Sequence, residues 1–378
     1  MADPILVVVF LRGGADGLSM IAPTSDEDYI AARPEDMRVL RKGDTPGLAL
    51  SNPAADVDFR FHPNARGLSE LYNAGHLAVI HASGLTDGTR SHFDAEDKIE
   101  RATKSYVSGG WIGRCLNARK PEGILPALAV GGSAPDSLRG SALTAVAESL
   151  NDLILSGGDD LGPLMRERLR AGFGSHPLLK VPVERLIGLS DVLSERLIDR
   201  DTGDFGEYRP AVEYPENDLS SQFKTLAQAI KLDLGLRIAT VDFGGWDTHE
   251  DQAQEFGGNV GVLAGSLQAF WRDLGDGAEN VTVVVMSEFG RRLRANSSMG
   301  TDHGFGNAMM VLGGKVRGGQ MLGEWPGLAN DALDDGADLA ITTDYRHVLG
   351  EVLSGHMPDF DPSVAFPNFK IVPRGLFA

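Results

Sequence analysis

Six short, mainly apolar runs punctuate the chain, at Ile5 to Phe10, Leu77 to His81, Leu125 to Val130, Leu236 to Val241, Val281 to Met286 and Ala308 to Leu312. Runs without polar alternation suit strands covered on both faces, as in a parallel sheet between helical layers. Helices are predicted between them: about Asn64 to Asn73, a segment starting near Ser91, Val262 to Leu274, and Asp344 to Leu353 behind Thr343 as N-cap. From about residue 152 to 234 helical spacing dominates, with Leu186, Leu189, Leu193 and Leu197 recurring at three and four residues. That stretch reads as an inserted helical layer or cap. The alternation predicts an α/β protein with a mainly parallel sheet sandwiched by helices, here a single domain over residues 1–378.

Composition narrows the function. With 378 residues and 42% hydrophobic content the chain can bury a full core. A formal net charge of −18 and the lack of a basic run oppose binding to nucleic acid or to an anionic membrane surface. A small-molecule or glycan ligand, with a cation to offset the charge, fits better. The one cysteine, Cys115, excludes an internal disulfide framework and a thiolate metal cluster. No run of about 18 apolar residues is present to span a bilayer. Ile5 to Phe10 is too short for a signal peptide and has no basic residues before it. The chain as it stands is expected in the cytoplasm, or in the periplasm or outside the cell if an export signal has been removed.

Polar clusters lie beside the apolar runs, where open α/β sheets gather ligands. Asp16 follows the first run in Arg12-Gly13-Gly14-Ala15-Asp16-Gly17, a tight turn with a carboxylate at its end. A dinucleotide loop is the competing reading, since Glu35 and Asp36 follow about 20 residues on. The full glycine pattern is absent, however, and Pro23 interrupts the place of the helix. Gly244-Gly245-Trp246-Asp247-Thr248-His249 offers a carboxylate and an imidazole from one loop, suited to zinc or manganese. Capping of the following helix by Asp247 or Thr248 is its plainer role. Glu288 closes the Val281 run and has Arg291 or Arg292 as a ready partner, while Asp302 and His303 stand just before the Ala308 run.

Ser91-His92-Phe93-Asp94 has the spacing of a capping box, with Asp in place of the usual Glu or Gln. A serine at a helix N-terminus is also well placed to attack an anionic centre, because free amides stabilise negative charge there. Cys115-Leu116-Asn117-Ala118-Arg119 is faintly similar to the sulfatase segment whose cysteine becomes formylglycine, but Asn117 departs from it. A buried helix cysteine is the better reading.

Taken together, Leu11-Arg12-Gly13-Gly14-Ala15-Asp16-Gly17-Leu18, Thr89 to Asp94, Gly244 to Glu250, Ser287 to Arg292 and Thr301 to Asn307 resemble the bacterial domain of unknown function family 1501, a branch of the alkaline phosphatase-like superfamily. The resemblance runs from about residue 5 to 354 and implies an alkaline phosphatase-like fold. It implies a phosphatase- or sulfatase-type hydrolase, or transferase, in which Ser91 attacks a phosphate or sulfate ester. Asp16, Asp247, His249, Glu288 and His303 would be the ligands of one or two divalent ions, zinc, manganese, magnesium or calcium, with Asp242 competing for one carboxylate place. Ser287-Glu288 stands where the superfamily has an Asp-His pair, which favours one metal or an oxygen-rich pair. Arg12, Arg90 or Arg291 would hold the non-bridging oxygens. The alternative is a metal-free binding protein for a carbohydrate or cell-envelope ligand.

Overall fold

The computed structural model describes residues 3–51, 56–103, 107–155, 158–199, 202 and 204–377. The main sheet is built of β1 (Ile5–Leu11), β2 (Leu77–Gly84), β3 (Ala127–Val130), β4 (Thr144–Ala147), β5 (Ile238–Phe243), β6 (Val281–Ser287), β7 (Asn307–Gly313) and β8 (Met321–Leu322). They join in the order β8-β2-β7-β6-β1-β5-β3-β4, with the short strand Thr343–Asp344 also beside β2. β7 alone runs antiparallel to its neighbours β2 and β6; the other pairings are parallel.

The apolar runs are continuous because helices cover both faces of the sheet. Along β1, Val7, Val9 and Leu11 enter one core while Leu6, Val8 and Phe10 enter the other. The first face is covered by α2 (Arg66–Asn73), α7 (Asp218–Lys231) and α8 (Gln252–Leu274), through Leu68, Phe223, Leu263 and Phe270. The second is covered by α3 (His92–Arg101), α4 (Trp111–Arg119) and α9 (Tyr345–His356), through Ile99, Trp111, Val348 and Val352. Burying each such side chain contributes about 1.5–3 kcal/mol. A short α1 (Glu27–Ala32) and the paired helices α5 (Gly158–Phe173) and α6 (Lys180–Leu197) complete the helices used below.

Several local expectations change. The four-residue helix Gly17–Met20 and the strand Ile21–Pro23 follow β1, which is not the strand–loop–helix of a dinucleotide site. α8 starts at Gln252, ten residues before the expected Val262, with Asp251 at its N-cap position, so neither Asp247 nor Thr248 caps it. Asp344, not Thr343, caps α9 by accepting the Arg346 N–H. Ser91 does occupy the N-cap position of α3, yet its hydroxyl makes no capping hydrogen bond. Within 152–234, α7 packs on α8 in the main helical layer and α6 joins the first core through Leu189, Leu193 and Leu197, with α5 tied to it by Arg166 to Asp191 at 2.8 Å and Arg170 to Glu184 at 3.2 Å. Cys115 is buried on α4, and burial pushes its thiol up to about 12.

Candidate metal centre

The parallel register aligns three strand ends. Leu11 lies opposite both Phe243 and Ser287, so the segments after β1, β5 and β6 leave the sheet at one edge. β2 points the same way, being antiparallel to β7, which is itself antiparallel to β6, and the segment after it leads into α3. A small ribbon, Arg291–Ala295 paired with Thr301–His303, sets Arg291 opposite His303. Close packing of these segments requires glycine at 13. Its φ is +117°, and a Cβ there would stand 2.6 Å from the Asp247 nitrogen.

At this edge Asp247 is the hub. Its Oδ1 lies 3.0 Å from Nε2 of His249, 3.0 Å from Nε2 of His303 and 3.4 Å from Nε2 of His92, and it accepts from Arg291 Nη2 at 2.6 Å. The Nε2 atoms of His249 and His303 are 2.8 Å apart. Each imidazole turns its other nitrogen to an acceptor: Nδ1 of His92 lies 2.8 Å from Glu288 Oε1, that of His303 2.7 Å from the Arg90 carbonyl, and that of His249 3.4 Å from Asp302 Oδ1. With the proton on Nδ1, toward these acceptors, each ring presents a lone pair on Nε2.

Three lone pairs and a carboxylate then face one another. One shared proton can relieve one of these contacts; a cation relieves all of them. His92 Nε2 is buried and has no hydrogen-bond partner among the described residues, and ligand atoms of His92, Asp247 and His303 lie within 4.8 Å of one another. The donor set therefore fits a divalent metal.

The electrostatics agree with the geometry. Burial alone would raise the Asp247 carboxyl, but in the protein without a cation a proton shared with His303 Nε2, together with Arg291, brings it to about 2. Glu288 is likewise lowered, burial being outweighed by His92, Ser287 and the Gly13 N–H. The hydrogen bond to Glu288 raises His92 against its partial burial. The pocket favours ionised carboxylates and positive charge between them.

The other sequence candidates stand apart. Glu288 has Oε1 engaged by the Gly13 N–H and His92, each at 2.8 Å, and Oε2 by the Ser287 hydroxyl at 2.8 Å, so it orients His92 from behind. Asp16 is wholly buried, and its oxygens accept from the Leu18 and Ser19 N–H groups, the Ser19 hydroxyl, Gln252 Nε2 and the two terminal nitrogens of Arg33. It is placed with Arg33, not among the imidazoles. Arg12 pairs with Asp242, Glu96 and Glu100, which also engages the competing carboxylate Asp242. Arg90 pairs with Asp338 and lies over the Phe305 ring. Arg291, expected to grip an anion, is buried and donates to the carbonyls of Gly13, Gly14, Trp246 and Thr301 besides Asp247. It locks three loops together. Ser91 lies between Arg90 and His92, both of which reach the centre. His92 is the residue that sequence reasoning missed; its signal was its place beside Ser91 in the Thr89 to Asp94 motif.

Residues 208–351 match the family model described as protein of unknown function (DUF1501). This is the family to which the motifs pointed. The matched stretch carries Asp247, His249, Glu288, Arg291 and His303 and excludes Arg90 to His92. No curated protein matches the chain. Among solved structures, the crystal structure of Ps i-CgsB in complex with k-i-k-neocarrahexaose is 11% identical with a TM-score of 0.42, covering 97% of this chain and 74% of that one. The C-terminal periplasmic domain of EcEptC from Escherichia coli, in complex with Zn, is 8% identical with a TM-score of 0.42, covering 98% and 89%. A protein in the alkaline phosphatase superfamily from Vibrio parahaemolyticus is 9% identical with a TM-score of 0.34, covering 83% and 60%. At these scores the likenesses carry no argument about the site.

Proposed function

We propose that the chain is a metal-dependent hydrolase, or transferase, acting on a phosphate or sulfate ester, with His92, Asp247, His249 and His303 as metal ligands and Ser91 as nucleophile. The observation that carries this reading is the convergence of three imidazole Nε2 atoms on Asp247 directly beside the N-terminus of α3. A divalent cation held there would set positive charge against the ester's non-bridging oxygens and make the serine hydroxyl more acidic. The first-turn amides of α3 add donors for the same anion. Because Arg12, Arg90 and Arg291 are already paired within the protein, those amides carry the part first assigned to the arginines.

In this scheme Ser91 Oγ bonds to phosphorus or sulfur as the bond to the leaving alcohol breaks, and the serine proton passes to the departing oxygen. Water, or an acceptor alcohol in a transferase, then displaces Ser91 and releases phosphate, sulfate or the new ester. Glu288 and Asp302 keep the imidazoles oriented throughout.

The test joins elemental analysis with single-turnover kinetics on a panel of aryl phosphates and sulfates. The parent is expected to carry stoichiometric metal and to turn over a member of the panel, whereas Ser91→Ala keeps the metal and loses turnover. Turnover by Ser91→Ala at the parental rate removes Ser91 from the nucleophile role. A metal-free parent without activity gives the alternative, a binding protein for a carbohydrate or cell-envelope ligand.

A further inference from the structure

Arg90 serves the metal centre with its main chain, while its side chain is held in a clamp of its own. The carbonyl lies 2.7 Å from His303 Nδ1. Nε and Nη2 both donate to Asp338 Oδ2, Nε at 3.1 Å, and the guanidinium carbon lies 4.3 Å from the centroid of the Phe305 ring. Phe305 stands two residues after His303 and also meets Gly88, where a Cβ would come within 2.7 Å of the ring. The two ends of the Arg90–His303 hydrogen bond are thus joined a second time, through the Arg90 side chain.

The clamp has a fixed base. Asp338 is wholly buried; its N–H donates to the Asp334 carbonyl at 3.0 Å, and its carbonyl accepts from the Asp334 N–H at 2.8 Å. Next to it, the Ala337 carbonyl accepts from the Leu293 N–H at 3.0 Å, which ties this turn to the ribbon bearing Arg291 and His303. A buried carboxylate persists only where counter-charge meets it. Asp338 has a second source, because Arg292 Nε lies 3.8 Å from its Oδ1, and neither of these two buried atoms makes a hydrogen bond among the described residues. Arg292 can answer the charge of Asp338 without Arg90. What the Arg90 contact adds is a fixed place for the Arg90 peptide.

We infer that Asp338, with the Phe305 ring, is a positioning residue of the metal centre, holding Arg90 so that its carbonyl sets the His303 imidazole. This rests on the metal site proposed above. His92 and His249 are oriented by the carboxylates of Glu288 and Asp302, but His303 depends on a main-chain carbonyl, which is aimed only as well as its peptide is held. That peptide belongs to the loop between β2 and α3, where no regular backbone pairing fixes it.

The experiment is titration of the full chain, stripped of metal, with Co2+, followed through the visible bands that report ligand number and arrangement. Arg90→Met keeps the carbonyl and an apolar stem and leaves Asp338 to Arg292. It should stay folded by circular dichroism, bind Co2+ about ten-fold more weakly than the parent and shift the bands. Asp338→Asn should do the same, and Arg90→Lys, which returns a cation to Asp338 and Phe305, should recover part of the affinity. Arg294→Gln is the control, since Arg294 ties the same ribbon to Asn330 and the Gly336 carbonyl by bonds separate from the clamp; it should bind as the parent does. Parental affinity and bands in folded Arg90→Met or Asp338→Asn overturn the proposal, as does an equal loss in Arg294→Gln, which would assign the effect to a loosened ribbon. A parent that binds no Co2+ removes the metal centre itself, and the positioning role with it.

Discussion

Asp16 and Asp247 follow neighbouring parallel strands in glycine-rich loops, yet they sit in opposite kinds of surroundings. Asp16 is met only by groups that bring protons: two amide N–H groups, a hydroxyl, a carboxamide and the Arg33 guanidinium. Its charge is answered within the chain. Asp247 receives one guanidinium hydrogen bond, and its other neighbours are imidazoles that each have an acceptor for a proton on the far side of the ring. A carboxylate among donors is structural, whereas one among bases calls for a cation. The two centres also touch. Gln252 donates to Asp16 at 2.6 Å and accepts from Thr301 at 2.6 Å and Thr248 at 3.1 Å, neighbours of His303 and His249.

The sharpest way to break this contrast is to remove one partner from each centre. Arg33→Ala leaves Asp16 buried without its counter-charge and should cost about 3–5 kcal/mol of stability in urea, while metal per folded molecule stays at the parental level. Asp247→Ala should do the reverse, keeping the fold and losing the metal. Arg33→Ala protein that folds but holds no metal would show that Asp16 serves the metal centre directly.

Acidity sharpens the same experiment. Burial pushes the Asp16 carboxyl up, but Arg33, Gln252 and Ser19 outweigh it and hold it below the usual carboxylate range. A depressed folded-state value means that the stabilisation is present above the unfolded pKa of about 3.9 and is lost as pH falls through the folded value. The deficit of Arg33→Ala should therefore narrow on acidification through the carboxylate range. A deficit constant with pH would remove the Asp16 charge as its cause.

The next effect separates ligands from the groups that orient them. Glu288→Gln should weaken metal binding by about 10–100-fold, the range for losing an orienting partner. Asp302→Asn should do less, because its contact to His249 is 3.4 Å against 2.8 Å for Glu288 and His92. Competition with a chromophoric chelator measures both. Unchanged affinity in the two variants would mean that the Nδ1 partners do not set the imidazoles.

Much of this arrangement was legible in the sequence, for physical reasons. Runs such as Val281 to Met286 declare a doubly covered strand, because apolar side chains fall on both of its faces, and the clusters at strand ends located the site. What the sequence hid was the division of labour among like residues. Asp16 and Asp247 look alike in their loops, and the difference lies in Arg33, which reaches Asp16 from the end of α1. Glu288 looked like a ligand because its buried strand-end position demands a partner, but the partner is His92 from a helix far away in the chain. His92 itself was masked by a capping pattern whose hydrogen bond is not made.

The smallest effect tests whether the two centres are coupled. Thr301→Val keeps the shape of the side chain and removes the 2.6 Å hydrogen bond to Gln252 Oε1, leaving the Thr248 hydroxyl at 3.1 Å as that oxygen's remaining donor. The expected cost is about 1 kcal/mol. Adding Thr248→Val strips the oxygen of both donors while it stays buried, so the double variant should cost more than the sum of the singles. If Gln252 transmits the order of the Asp16 centre to the loops bearing His249 and His303, metal affinity should fall in the double variant along with stability. If stability falls and affinity holds, the structural centre and the metal centre are neighbours without being coupled, and the imidazoles are set by Glu288, Asp302 and the Arg90 carbonyl alone.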